Sequence, residues 1–189
     1  MSKLTQIYLI DETKLKLYSD IARNVGVDKV IPYVGLAQPF YIEEVLGAPL
    51  TAELTQQIAT NTLTEANQAL LLKIAPPLAL YTQFLAMRGL AYSVVEKGIT
   101  KLKSENSETV NSTELGQYIN STRENAEMAL ELLIKYLCEC RDLYPLWKPS
   151  PSSCNCDKYS KNEDGTDKLD REFHIYFPKR SNNSCGCNK

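Results

Sequence analysis

The residues best suited to chemistry are cysteines near the C-terminus. They form two pairs, each with one residue between its members: Cys154 and Cys156, Cys185 and Cys187. Four thiolates are the number that a tetrahedral zinc site requires. A hairpin with its turn near Asp164-Gly165 and its second arm over Phe173–Phe177 would bring the pairs together. These cysteines are therefore candidate ligands of a structural zinc ion.

The spacing of the cysteines leaves other interpretations open. Most structural zinc sites separate paired ligands by two residues, and one residue stands between the members of each pair here. Free thiols in an extended tail, or disulfides that form after cell lysis, fit the same residues. Cys138 and Cys140 lie in a helical pattern, and we expect them to pack as small apolar groups.

Catalysis has few candidate residues elsewhere in the chain. His174 is the only histidine, and no serine or cysteine motif supplies a nucleophile for it. Glycine-rich loops of the GxxxxGK[ST] and GxGxxG types, which bind phosphate groups, do not occur in the sequence. The carboxylate pairs Glu43-Glu44 and Glu163-Asp164 are typical of solvated surfaces. The chain is therefore predicted not to be an enzyme.

Length and composition predict one main domain and a small appendage. The 189 residues include 21 basic and 23 acidic side chains, which gives a net charge of -2. The composition therefore lacks the excess of positive charge that is typical of a specific DNA-binding protein. The N-terminal apolar run is too short for a signal peptide, and no segment is expected to reach the roughly 20 apolar residues of a membrane span. We expect a soluble helical domain over 1–148 and a cysteine-rich tail over 149–189.

Apolar residues at helical spacing predict the elements of the helical domain. A first helix is expected after the cap residue Asp11 and should turn four side chains inward: Leu15, Tyr18, Ile21 and Ala22. A second is expected from Ile31, interrupted at Pro39 and closed by Gly47. Its predicted buried stripe is Ile31, Val34, Ala37, Tyr41 and Val45, widened by Phe40, Ile42 and Leu46.

Two long helices should form the centre of the fold. After a turn at Ala48-Pro49 and a short helix over 51–60, a capping box Thr62-x-x-Glu65 is expected to open a helix that is apolar on nearly all sides. Its apolar pattern extends to Val94, with a kink expected at Pro76-Pro77.

A polar segment separates this helix from the last one. Residues 97–112 predict a partly extended loop, for which a mobile surface loop is the alternative interpretation. Asn111-x-x-Glu114 should cap the last helix, which has Tyr118 on its buried side and stops near Tyr144. The predicted fold is all-α, an antiparallel helical bundle with a long polar loop and a small, partly β, cysteine-rich C-terminal tail.

One segment also carries a family resemblance. Within residues 31–54 it rests on Ala37-Gln38, Tyr41-Ile42, Leu46-Gly47 and Leu50. This run resembles the opening helix of the head–tail connector, or adaptor, proteins of tailed bacteriophages, and the order of elements is similar as far as Tyr144. The cysteine-rich end is similar to proteins of crAss-like phages.

The resemblance implies a structural virion protein assembled in the bacterial cytoplasm. Its copies would form a dodecameric ring at the head–tail junction, bind the portal protein and the next tail or ring component, and extend the DNA channel. DNA would pass through without sequence-specific binding, and no membrane would be involved. The polar loop would touch the neighbouring subunit, through Lys97, Gly98, Ile99, Ser104, Glu105 and Asn106.

Aromatic residues near and within the tail are the candidate contacts with other proteins. Trp147 follows the bundle and is expected either to staple the tail to it or to anchor a partner, together with Phe173, Tyr176 and Phe177. The alternative function is a small regulatory helical protein whose zinc-binding tail grips protein or nucleic acid. Lys179-Arg180 would be its basic patch, although two basic residues are too few for phosphate contacts to dominate binding.

Overall fold

The computed structural model describes residues 6–90, 92–95, 98–101 and 112–148. Most of these residues are helical, which confirms the predicted fold class in its coarse form. The elements in chain order are α1 (Glu12–Leu17), a 3-10 turn (Val27–Lys29), α2 (Ile31–Ala37), a π-helical segment (Gln38–Glu43), α3 (Glu44–Leu46), α4 (Ala48–Thr60), α5 (Glu65–Leu90), β1 (Tyr92–Val95), β2 (Gly98–Lys101), α6 (Ser112–Glu139) and a second 3-10 turn (Arg141–Leu143).

Helix α5 is the centre of the fold, as the sequence predicted. Helices α1, α2 and α6 and the π-helical segment all pack against it. The Tyr144 hydroxyl donates to the carbonyl of Ala66, near the start of α5, at 2.8 Å. Gln83, near its end, donates to Tyr118, near the start of α6, at 3.0 Å. Helices α5 and α6 are therefore antiparallel.

The main hydrophobic core joins α5 to the helices on either side of it in the sequence. Its fully buried members include Ile42, Leu46, Leu50, Leu54, Leu70, Ile74, Leu78, Leu133 and Leu137. Burial of side chains of this size contributes about 1.5–3 kcal/mol each relative to exposure. The fold therefore depends on contacts between α3–α4, α5 and α6 that are distant in sequence.

Two prolines lie inside α5, and the helix continues through both. Proline has no N–H, so the carbonyls of Leu72 and Lys73, four residues before Pro76 and Pro77, lose their usual helical hydrogen bonds. Leu72 and Lys73 are both exposed, and water can satisfy carbonyls at such positions. This placement explains how a central helix tolerates the proline pair.

The composition of α5 corrects one expectation. Residues Glu65–Met87 are long and apolar enough to cross a membrane by length and composition, so the expectation that no segment reaches this length was wrong. In the fold, 56% of the apolar window is buried by the rest of the protein. A helix that is surrounded by its neighbours needs apolar residues on most sides, which explains this composition.

The first helix is shorter than predicted. Its predicted start is confirmed, because Asp11 Oδ1 accepts a hydrogen bond of 2.7 Å from the backbone N–H of Lys14. The helix ends at Leu17, so that Leu15 is buried while Tyr18 and Ala22 are exposed. The expectation that Tyr18 and Ala22 face inward was wrong.

The boundaries of α4 and α5 also differ from the expectation. Gly47 closes α3 with a φ of 76°, as predicted, but α4 begins at Ala48 and holds Pro49 in its first turn. Helix α5 begins at Glu65, and its cap is Thr64, whose hydroxyl accepts from the Asn67 N–H at 3.2 Å. The predicted cap at Thr62 was therefore wrong by two residues.

The ends of α5 and α6 show similar differences, whereas the start of α6 agrees with the expected cap at Asn111. Helix α5 ends at Leu90, so Val94 belongs to strand β1 and not to the helix. Helix α6 begins at Ser112 and ends at Glu139, and a 3-10 turn carries the chain on to Tyr144. Tyr118, predicted to face the core, is 46% exposed.

The π-helical segment changes which residues face the core. A π turn holds about one residue more than an α turn. The residues that face the core after this segment therefore lie one position later in the sequence than a continuous α-helix would place them. Between Ala37 and Gly47 the fully buried apolar residues are Ile42 and Leu46, whereas Tyr41 and Val45 are half-buried. The interruption predicted at Pro39 is confirmed, and its form is a π-helical segment.

A glycine allows α2 and α5 to approach each other closely. A Cβ atom on Gly89 would lie 2.0 Å from the Tyr33 hydroxyl oxygen and 2.6 Å from Cζ of the same ring. Both distances are far below van der Waals contact. The packing of the Tyr33 ring against α5 therefore requires that residue 89 has no side chain.

We expect Gly89→Ala to lower the free energy of unfolding by about 1 kcal/mol. Overpacking against Tyr33 costs about 1–3 kcal/mol, and the higher helix propensity of alanine offsets about 1 kcal/mol of that cost. In a Tyr33→Ala background the same substitution should be neutral or stabilising, since the clash is gone. Urea unfolding of the four proteins measures the coupling between the positions. A coupling near zero would contradict the contact.

Candidate interaction surfaces

An exposed apolar surface covers the outer side of α2 and the π-helical segment. We call it the α2 surface, and it consists of Pro32, Leu36, Pro39 and Phe40. Leu36 is 44% exposed and Phe40 is 56% exposed. Successive helical turns place all four side chains on one side of the helix. They form an apolar surface that the other described residues leave exposed.

Stacked aromatic rings support the α2 surface from below. The Phe40 ring meets the Tyr41 ring edge to face, with centroids 6.4 Å apart and planes at 79°. Tyr41 in turn stacks on Tyr81 of α5 at 3.8 Å with planes 4° apart. Burial, followed by the negative charge of Glu127, raises the pKa of Tyr81 to about 12. Tyr81 is therefore uncharged at physiological pH, and the column of three rings fixes Phe40 relative to the core.

A buried amide fixes the same segment from inside. Gln38 is 2% exposed, and its Oε1 accepts a hydrogen bond from the Leu9 N–H at 2.9 Å. Its Nε2 donates to the Ile7 carbonyl at 3.3 Å and to the Glu43 carboxylate at 2.9 Å. The side chain thus joins the N-terminal residues to both ends of the π-helical segment. Such a satisfied buried amide favours one geometry of this segment.

The residues that carry the family resemblance lie mostly in the core. The buried members are Ala37, Gln38, Ile42, Leu46 and Leu50. The exposed Leu36 directly precedes them and the exposed Phe40 stands between them, and neither is part of the resemblance. The motif therefore accounts for how this segment folds, and the adjacent side chains form its accessible surface.

A second exposed apolar site lies on α6. Met128 is 57% exposed and Leu132, one turn later, is 68% exposed. Glutamates surround this pair, and we call the whole set the α6 surface: Glu124, Glu127, Met128, Glu131 and Leu132. Arg123 Nε lies 3.4 Å from Glu127 Oε1 and offsets one of these charges. The α6 surface combines two apolar side chains with an acidic border.

A polar junction joins three elements near the start of α6. The Tyr118 hydroxyl donates to Asp20 Oδ2 at 2.6 Å. Gln83 of α5 accepts from the Asp20 N–H at 2.9 Å and donates to Asp20 Oδ2 at 3.0 Å. The hydrogen bond from Tyr118, with that from Gln83, lowers the pKa of Asp20. The same bond raises the pKa of Tyr118, because it stabilises the neutral hydroxyl.

The hydrogen bonds to Asp20 should therefore stabilise the fold at every pH above the ordinary pKa of an aspartate. This stabilisation should be lost as the pH falls through the lowered pKa that Asp20 has in the fold. We expect Tyr118→Phe to raise the pKa of Asp20 toward that of a free aspartate, as measured by NMR titration of the carboxyl carbon. The loss of stability at neutral pH should stay below about 1 kcal/mol, because Asp20 is exposed. An unchanged pKa would contradict the hydrogen bond.

Strands β1 and β2 form an antiparallel hairpin where the sequence predicted the end of α5 and a loop. Tyr92 pairs with Lys101 and Val95 pairs with Gly98. Because this sheet has two strands, the outer edge of each strand leaves backbone groups that the sheet does not pair. Gly98 and Ile99, two of the predicted subunit contacts, lie on β2.

The other predicted contact residues of the loop lie outside the described residues: Lys97, Ser104, Glu105 and Asn106. The same holds for the candidate zinc ligands Cys154, Cys156, Cys185 and Cys187, for His174, and for Phe173, Tyr176 and Phe177. Within residues 6–90, 92–95, 98–101 and 112–148, no three histidine, cysteine, aspartate or glutamate side chains are grouped to hold a metal ion. Cys140 is buried, and Cys138, which is disulfide-bonded, packs half-buried against the core.

Trp147 occupies the position expected of a staple at the end of the bundle. It is 2% exposed, and its Nε1 donates to the carbonyl of Val45 at 2.9 Å. Tyr144, three residues earlier, is 1% exposed. The indole therefore lies in the core, rather than on the surface that a contact with a partner would require.

Comparison with family models relates most of the helical part of the chain to a known family. A family model covers residues 42–157, which include α4, α5, α6 and Trp147, and its description is a family of unknown function, DUF6712. No curated protein and no solved structure matches the chain. The matched span exceeds half of the chain and contains most of the hydrophobic core.

Proposed function

The chain belongs to the DUF6712 family of unknown function, and we propose that it is a subunit of the ring that joins the portal of a tailed bacteriophage to its tail. In this proposal the copies form a dodecameric ring at the head–tail junction of the virion and extend the DNA channel. The partners are other copies of the chain, the portal protein and the next tail or ring component. The protein works by repeated contact between subunits and carries out no catalysis.

The observation that carries the proposal is the α2 surface. Leu36 and Phe40 expose about half of their area, and Pro32 and Pro39 extend the apolar area on the same side of the helix. Adjacent exposed apolar side chains of this kind mark contacts between proteins. Because the column of rings already fixes Phe40, little side-chain freedom remains to be lost on binding. The α2 surface thus has the properties of a contact between subunits.

The hairpin supplies a second surface of a different kind. The outer edges of β1 and β2 present backbone N–H and C=O groups that can pair with a strand from another chain. A ring is built from head-to-tail contacts, in which one surface of each copy meets a different surface of the next. An apolar helix side and a sheet edge on the same subunit are two such different surfaces.

The charge of the chain supports a passive role toward DNA. The net charge is -2, and α6 carries glutamates at Glu114, Glu124, Glu127, Glu131 and Glu139 against two basic residues, Arg123 and Lys135. Contacts between basic residues and phosphates would bind DNA in place and slow its passage. A ring of such subunits is suited to let DNA pass without holding it.

Native mass spectrometry tests the proposal. Purified protein is measured alone and after addition of the portal protein of the same phage, and we expect a ring of defined copy number in at least the second sample. Negative-stain electron microscopy of the same samples should show the ring on the portal. A chain that remains monomeric and does not bind the portal would refute the proposal.

A further inference from the structure

The α6 surface has a chemistry that differs from the α2 surface. Leu132 and Met128 are 68% and 57% exposed and point away from Ala126 and Leu133, which are buried on the other side of the helix. Glu124, exposed, and Glu131, half-exposed, border the pair, and one basic residue, Lys135, lies one turn after Leu132. An apolar site with an acidic border favours a ligand segment whose apolar residues are bordered by basic ones.

One segment of this chain has that composition. Residues 171–180 read REFHIYFPKR, with four apolar side chains at Phe173, Ile175, Tyr176 and Phe177. Basic residues stand at both ends, at Arg171 and at Lys179-Arg180, against one acidic residue, Glu172. The apolar centre and the basic ends complement the apolar pair and the glutamates of the α6 surface.

We propose that residues 171–180 dock on the α6 surface of the same chain. The aromatic side chains cover Met128 and Leu132, and the basic ends lie beside Glu124 and Glu131. The inference goes beyond the ring proposal and does not depend on it, because it concerns the isolated subunit. It assigns an occupant within the chain to an apolar site that the described residues leave open.

The length of the chain permits this contact. The described residues end at Lys148, directly after Trp147, which is fixed to α3 by its hydrogen bond to Val45. Leu132 lies about 10 Å before the end of α6 at a rise of 1.5 Å per residue. Residues 149–170 can extend to about 70 Å. A tethered segment within this reach has an effective concentration of the order of millimolar, above that of any second copy in dilute solution.

Oxidation of Met128 by hydrogen peroxide tests the contact in the full-length protein. Peptide mass spectrometry follows the rate of sulfoxide formation at Met128, with Met87 in α5 as the internal reference. In a Phe173→Ser/Phe177→Ser variant we expect Met128 to react about fivefold faster. This factor corresponds to a segment that covers Met128 about four-fifths of the time in the unmodified protein and leaves it uncovered in the variant. Tyr159→Ser, elsewhere in the tail, is the matched control and should leave the rate unchanged.

A charge variant separates docking from an effect on folding. Lys179→Glu/Arg180→Glu should accelerate oxidation of Met128 in the same way, and so should added salt, because both weaken attraction to the glutamates. Equal Met128 rates in the unmodified protein and in both tail variants would overturn the proposal. Protection that persists in the variants and increases with protein concentration would place a second copy on the α6 surface, and would also overturn it.

Discussion

Replacing Leu36 and Phe40 by aspartate should abolish ring formation and portal binding while the subunit stays folded. Both side chains lie on the α2 surface, and centrally placed contact residues contribute about 2 kcal/mol or more each to an interface. A loss of about 4 kcal/mol lowers the association constant for each contact about a thousandfold. Native mass spectrometry should then show monomer at concentrations where the unmodified protein assembles.

The fold should tolerate the two aspartates, because Leu36 and Phe40 are 44% and 56% exposed. Exposed substitutions change stability by about 0.5 kcal/mol or less. Leu72→Asp is the matched control, since Leu72 is 52% exposed on α5 and belongs to neither surface. Rings formed by the double variant would show that the α2 surface is not a subunit contact.

Trp147→Ala should lower the free energy of unfolding by about 3–5 kcal/mol, the cost of removing a buried aromatic side chain from a core. The indole is 2% exposed, and its loss also leaves the Val45 carbonyl without its partner at 2.9 Å. Thermal and urea unfolding followed by circular dichroism measure the change. Trp147→Phe keeps most of the burial and should cost about half as much.

Leu146→Ala provides a control for the Trp147 prediction. Leu146 is the preceding residue and is 40% exposed, so its truncation should cost less than about 1 kcal/mol. If Trp147→Ala and Leu146→Ala had equal effects, the indole would not lie in the core in solution. The comparison separates loss of burial from a general effect of truncation at the end of the bundle.

The sequence predicted those features that have strong local signals. A long apolar run predicted α5 as the central helix, and Gly47 and Asp11 marked helix ends through their own backbone and side-chain chemistry. In each case the signal lies within a few residues of the feature that it predicts.

The form of the interruption at Pro39 was not predictable from the same pattern. Proline indicates that an α-helix is disturbed, but a bend, a break and a π-helical segment are all compatible with it. The choice depends on Gln38, whose partners Ile7 and Leu9 are about thirty residues away in sequence. A polar residue that is buried through distant partners gives no local signal. Phe40 was accordingly predicted on the wrong side of the helix.

The candidate surfaces were harder still to predict. Met128, Leu132 and Phe40 are apolar, and the sequence gives no means to tell an apolar residue in the core from one left exposed. The hairpin did have a signal, since Val94-Val95 and Ile99-Thr100 are β-branched. The apolar pattern of α5 extends to Val94, however, and hides the point at which the helix ends.

The π-helical segment also affects how the chain can vary in length. A π turn is equivalent to an α-helix with one inserted residue, and the turn absorbs that residue, so the helix after it keeps its orientation. Deleting one exposed residue of the segment, such as Phe40, would therefore restore the α-helix and leave Ile42 and Leu46 facing the core. A deletion in the middle of α4, which is α-helical throughout, would instead rotate everything that follows by about 100°. Selection should therefore tolerate the loss of one residue within Gln38–Glu43 more readily than the loss of one residue within α4.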